Sequence, residues 1–208
     1  MIKENEEKIK YLTQIEMKKV FKVIEKDNSI HALRNLTIFR VAYRCALRAS
    51  EVGLIHLEDY NKTRGEMYCN RLKGSNNNTI RLEQETIKIL NKYIRQNEIC
   101  NNQQVLFLSQ EKKPISRKTL DVLMKKYCHL AKISDIEKYH FHTLKHTAAV
   151  HLAESEIDIK ELQYYLGHKS VTNTLIYFQF TTKQQETMYA KLQKNNQMVR
   201  SVKRFNQI

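Results

Sequence analysis

Apolar residues recur at helical spacing through most of this chain and alternate with polar ones in one short stretch. Thr13 and Glu16 have the form of a capping box, with Leu12 and Met17 placed as a hydrophobic staple, so a first helix is predicted to begin there. The run HALRNLTIFRVAYRCAL carries Leu33, Leu36, Val41 and Leu47 at its apolar positions and predicts a second helix, which delivers Arg48 at its C-terminal end. Ser50 reads as the N-cap of a short helix, SEVGLI. Residues 66–82 change character: EMYCNRLK and TIRL read as two strands joined by a GSNNN turn, with Lys73 at its mouth. A helix is predicted over about 83–97, an extended segment at VLFLS (105–109), and a helix over about 117–131 capped by Ser116. In that last helix Leu120, Leu123, Met124 and Tyr127 share a face. Leu144, Ala148 and Leu152 mark the next helix. Asp158 with Glu161 then opens another, which has Tyr164 and Tyr165 in its apolar pattern and Gly167 as a left-handed terminator. His168 follows immediately, where its ring can turn into a cleft. The pattern predicts a mainly α (α+β) fold: a helical domain with a small antiparallel β-sheet at one edge.

Length and composition refine this picture. The 208 residues suit one domain, and 41% hydrophobic content is enough for a core. With four glycines and one proline there is no linker long enough to divide the chain and no internal repeat. The expected organisation is an N-terminal extension (1–10), one domain (11–182) and a basic C-terminal tail (183–208). Lys and Arg outnumber Asp and Glu by 36 to 22, a net charge of +14, which makes nucleic acid a better partner than a membrane. Cys45, Cys69, Cys100 and Cys128 lie far apart, which argues against a structural zinc site and a disulfide framework. No signal peptide is visible in MIKENEEKIKYL, and no apolar run approaches the roughly 18–20 residues that cross a bilayer. A cytoplasmic, nucleoid-associated protein is expected.

The chemistry-bearing residues come in a definite order. LRASE places Arg48 after an apolar run, Lys73 sits on the strand turn, HTLKHTAAVHLAE opens at His142, LGH ends at His168, and TLIY brings Tyr177 nine residues later. Breaking a phosphodiester without water needs a nucleophile, cations for the pentacoordinate transition state and an acid for the leaving oxygen. The ordered set resembles the catalytic constellation of the tyrosine recombinases, the phage integrase family, and the resemblance covers about residues 11–185. It implies that Tyr177 attacks the scissile phosphate to form a 3′-phosphotyrosyl bond. Arg48, Lys145 and His168 would then stabilise the phosphorane, Lys73 would protonate the leaving 5′ oxygen, and His142 would assist proton transfer. Glu51 resembles the acidic residue that supports these cations. Double-stranded DNA is the implied partner, with four protomers on two sites and accessory DNA-bending proteins as further candidates. Because the covalent bond conserves its energy, the resemblance implies neither a cofactor nor a metal.

One departure from the family pattern bears on the chemistry. HTLKHTAAV resembles HxLRHTxAT, and Lys145 stands where the second arginine would be. A lysine keeps the charge but loses the bidentate fork, so slower cleavage is expected. In size the chain is similar to the fimbrial phase-variation invertases, which consist of little beyond this catalytic domain. His142 and His146, four apart, could share a metal on one helix face, but Thr143 replaces the glutamate of HExxH and no third ligand is evident. The alternatives are a recombinase-fold DNA-binding regulator with weak or lost chemistry and a relaxing, topoisomerase-like enzyme without site preference.

Overall fold

Helix α1 (Gln14–Glu25) begins at the predicted capping box: the Glu16 carboxylate accepts from the Thr13 N–H at 2.8 Å, and the Thr13 hydroxyl accepts from the Glu16 N–H at 3.2 Å. The computed structural model describes residues 9–72, 74–155, 157–178 and Gln193. Lys73, and the predicted tail apart from Gln193, lie outside the described residues.

At the centre stands α2 (Ala32–Arg44), packed against α1, α4 (Gln84–Gln96) and α6 (Thr143–Glu154). It buries Ile38, Phe39, Val41 and Ala42, whereas Leu33 and Leu36 of the predicted face are only partly buried. Phe39 meets Tyr127 of α5 (Arg117–Leu130) and Phe141 edge to face, at centroid distances of 5.3 and 5.4 Å, the geometry that ring quadrupoles favour. The polar intruder Asn35 is satisfied, its amide donating to the Tyr127 hydroxyl at 2.9 Å.

The sheet has three antiparallel strands in the order β1 (Tyr60–Asn61), β2 (Glu66–Cys69), β3 (Asn78–Arg81). β1 escapes the sequence pattern because two residues are too few for alternation to register. β2 ends at Cys69, short of the predicted strand, because Arg71 turns its guanidinium into the core instead of continuing the ladder. The sheet's open end is pinned to the end of α7 (Ile159–Leu166). There the Asn78 amide donates to the Tyr164 and Tyr165 carbonyls at 2.7 and 2.8 Å, and the Asn76 N–H donates to the Gly167 carbonyl at 2.8 Å. These bonds satisfy carbonyls that a helix end leaves without partners. Gly167 is needed twice over: its φ is +67°, and a Cβ would stand 2.4 Å from the Asn76 oxygen.

VLFLS, expected to be extended, makes isolated bridges, His56 with Val105 and Leu108 with Pro114. Other expectations are corrected. Ser50 lies inside α3 (Ala49–Val52), whose cap is Arg48, because the Glu51 carboxylate reaches back to the Arg48 N–H. Tyr164 is 64% exposed and not core, while Tyr165 is partly buried and its hydroxyl donates to the Arg44 carbonyl. Nine of the twelve residues of α6 are buried, so this helix has no single apolar face. It is clasped between α2 and α7, where its alanines allow close approach.

Candidate active site

Arg48 emerges from the turn after α2 with extended backbone, and its guanidinium is fixed from behind by Glu51. The Glu51 side chain is buried and accepts from Arg48 Nη1 at 2.7 Å, the Arg48 N–H at 2.8 Å and the Leu72 N–H at 3.1 Å. Burial by itself would raise its carboxyl, but the Arg48 and Leu72 hydrogen bonds and the Arg71 charge hold it below the usual range. Behind it Arg71 is wholly buried. It donates Nε to Asn78 Oδ1 (3.1 Å), Nη1 to the Ala46 carbonyl (3.1 Å), and Nη2 to the Cys45 (2.9 Å) and Tyr165 (3.0 Å) carbonyls, and lies 3.5 Å from Glu51. Arg71 thus ties the end of α2, the sheet and α7 into one wall. The Arg48 fork makes only long bonds forward, to the Leu72 carbonyl at 3.4 Å and Ser75 Oγ at 3.3 Å.

The opposite wall is α6. Lys145 is 6% exposed, and among the described residues its Nζ has no hydrogen-bond partner. Burial, then the Arg48 charge, pushes its ammonium down to about 7. One residue on, His146 places Nδ1 3.0 Å from the Tyr177 hydroxyl. Burial, then the charges of His142 and Lys145, lowers His146 to about 4. His142 stands exposed at the rim, stacked on His140 at 5.5 Å and edge-on to His146 at 5.7 Å. Its imidazole is lowered by burial, then by His140. No third His, Cys, Asp or Glu joins His142 and His146 as a metal ligand among the described residues.

Gly167 turns the chain so that His168 enters the same cleft, where its Nδ1 bonds Thr174 Oγ1 at 3.0 Å under α8 (Thr172–Leu175). Burial, then Lys145, lowers it to about 4. The ring stacks on Tyr177 at 6.4 Å. Tyr177 is 3% exposed, and burial pushes its phenol up to about 12.

Arg48, His142, Lys145, His168 and Tyr177, which come from four separate parts of the sequence, line one cleft of about 650 Å³. Of the six residues singled out in the sequence, only Lys73 falls outside the described residues. Arg117, His146 and Lys169 also line the cleft, and no carboxylate does among the described residues. Sequence reasoning missed Arg117, Arg71 and the contact of His146. The spacing of four between His142 and His146 gave the shared helix face, but nothing in the sequence placed Tyr177 against it. A cavity walled by cations and imidazoles beside a buried phenol is suited to binding a phosphodiester and attacking it.

Comparison with known proteins follows the same lines. Tyrosine recombinase XerA of Pyrococcus furiosus is 33% identical over 177 residues, 84% of this chain and 58% of the relative. Tyrosine recombinase XerC of Caldanaerobacter subterraneus subsp. tengcongensis is 35% identical over 170 residues, 80% of this chain and 46% of the relative. The chain therefore spans about half the length of the curated relatives it matches. The fold is shared with the crystal structure of the XerH site-specific recombinase in a post-cleavage complex with palindromic difH substrate. That match has a TM-score of 0.76 at 22% identity and covers 88% of this chain and 53% of that one. The model of the phage integrase family matches residues 10–184, and to that family this chain belongs.

Proposed function

We propose that this chain is a tyrosine-type site-specific DNA recombinase, which cleaves and rejoins double-stranded DNA through a 3′-phosphotyrosyl intermediate. The observation that carries the reading is the meeting of Tyr177 with Arg48, Lys145 and His168 around one cleft that, among the described residues, no carboxylate lines. A phosphate seated there would bring its nonbridging oxygens to the Arg48 fork, the free Lys145 ammonium and His168. Each preorganised donor of this kind is worth about 2.7–4 kcal/mol in a transition state. The attack of Tyr177 on phosphorus expels the 5′ oxygen, with Lys73 as its acid on the strength of the family resemblance. The relatives named above are recombinases, and the XerH structure is a post-cleavage complex with its difH substrate. They favour this reading over a regulator without chemistry.

We assign the catalytic unit to residues 11–182 and expect four protomers on two DNA sites, with accessory DNA-bending proteins as candidate partners. A net charge of +14 accords with a phosphate-lined partner. No helix of the described residues is long and apolar enough to cross a membrane. The test is incubation with nicked suicide duplexes carrying candidate sites. A denaturation-resistant protein–DNA adduct is expected with the wild type and none with Tyr177→Phe, which removes only a hydroxyl. An adduct that persists in Tyr177→Phe would move the nucleophile elsewhere. Binding without any wild-type adduct would favour the regulator.

A further inference from the structure

Tyr177 must give up its hydroxyl proton as it attacks, and the residue that accepts it is a separate question from the residues that hold the phosphate. The resemblance points to His142 for proton transfer. In the structure the Tyr177 hydroxyl is bonded instead to His146 Nδ1 at 3.0 Å, with the two rings 5.9 Å apart. His142 is one ring further out, exposed and stacked on His140, and among the described residues it makes no hydrogen bond to Tyr177. His146 is thus the imidazole within direct reach of the reacting oxygen, which is the first requirement for a general base.

Resting on the reading of Tyr177 as nucleophile, we propose that His146 is the general base for Tyr177. The step balances simply. As the Tyr177 oxygen–phosphorus bond forms, the O–H bond breaks and its proton passes to Nδ1. The phosphorus–5′ oxygen bond then breaks, and the 5′ oxygen takes its proton from a separate acid. In rejoining, the His146 imidazolium returns the proton to the departing Tyr177 oxygen. The role requires the tautomer with hydrogen on Nε2, leaving the Nδ1 lone pair toward the phenol.

The surroundings make this base dependent on its substrate. His142 and Lys145 from its own helix act on His146, Tyr177 and His168 meet it from the segments around α8, and Arg48, Arg117 and Lys169 line the same cleft. The cations among them, together with burial, keep the imidazole neutral and its lone pair free, yet they also oppose proton uptake while the cleft lacks an anion. A phosphodiester between Arg48, Lys145 and His168 cancels that repulsion and stabilises the imidazolium. Tyr177 is therefore activated only after DNA is seated.

Single-turnover cleavage of a nicked suicide duplex by the full chain tests this. In His146→Asn the side-chain oxygen can still accept the Tyr177 hydrogen bond but cannot take the proton. Adduct formation should fall by about 100-fold or more with DNA affinity unchanged, in keeping with the usual weight of a general base. A 5′-bridging sulfur in the substrate, a leaving group that needs no acid, should not restore that variant. In His146→Ala, added imidazoles should restore cleavage, faster with the more basic ones, a response that a merely structural role would not give. Wild-type rate in His146→Asn, or absence of imidazole rescue in a DNA-binding His146→Ala, overturns the assignment while leaving Tyr177 as nucleophile. Absence of an adduct in the wild type overturns the nucleophile itself and this inference with it.

Discussion

On the sheet side of the cleft, the Arg71 side chain is 0% exposed, yet it donates to three carbonyls and an amide and lies beside Glu51. On the α6 side, Lys145 is 6% exposed and its ammonium meets no acceptor among the described residues. Both are basic side chains at similar depth, and what separates them is compensation. A guanidinium has five donors in a rigid fork, so the Arg71 position can be finished from within the protein and serves as structure. An ammonium left unpaired in the interior is costly, and here the cost is accepted where a phosphate is proposed to sit. The complete wall sets the geometry, while the incomplete one leaves a donor for the proposed phosphate.

Cutting the complete wall should have the largest effect. Arg71→Met strips four hydrogen bonds from buried acceptors and leaves Glu51 with Arg48 as its remaining cation. Removing one partner from such a buried network costs about 3–5 kcal/mol. The urea midpoint should fall accordingly with the slope unchanged, and a loss below about 1 kcal/mol would mean the carbonyls find other donors.

The reverse change acts on the incomplete wall. Lys145→Met should stabilise the protein while abolishing adduct formation. The folded value of about 7 lies below the lysine's ordinary 10.5, so the unfolded chain holds the proton more tightly. The penalty for a buried cation is therefore full below about pH 7 and fades as pH rises toward 10.5. The gain from Lys145→Met should be about 2–4 kcal/mol at pH 6 and about 1 at pH 9.5, read from paired urea curves. A gain independent of pH would show that packing, and not charge, is responsible.

The smallest effect concerns the third element of the cleft. Thr174→Val removes the hydroxyl that holds His168 Nδ1 at 3.0 Å and leaves a buried ring nitrogen unpartnered. Stability should drop by about 1–2 kcal/mol. Adduct formation should slow more than DNA binding, because a swinging His168 still offers its ring but not its aim. Equal slowing of both would make Thr174 a packing residue only.

The parts of the fold that were legible in advance are those decided within a few residues. The Thr13–Glu16 and Asp158–Glu161 capping boxes form as read, because each closes over a single helical turn. Gly167 adopts its left-handed conformation, and Ser116 caps α5. The errors arise where distant segments compete for the same residue. Ser50 is displaced as a cap because Glu51 also serves Arg48 and Leu72. β2 stops early because Arg71 is drawn to carbonyls 25, 26 and 94 positions away. The residues of the site were legible as an ordered set, but their contacts were not.

Most helix starts and stops, the β2–β3 hairpin and the order of the chemistry-bearing residues could be read from the chain alone. These depend on caps, turn residues and spacing, whose energies are local. Only the tertiary structure decided that α6 is buried nearly all round, that Arg71 is compensated and Lys145 is not, and that the Tyr177 hydroxyl meets His146 rather than His142. Such facts turn on which groups share a low-dielectric interior after the chain has closed on itself. Pairing across 31 residues, as between His146 and Tyr177, leaves no periodic trace along the chain.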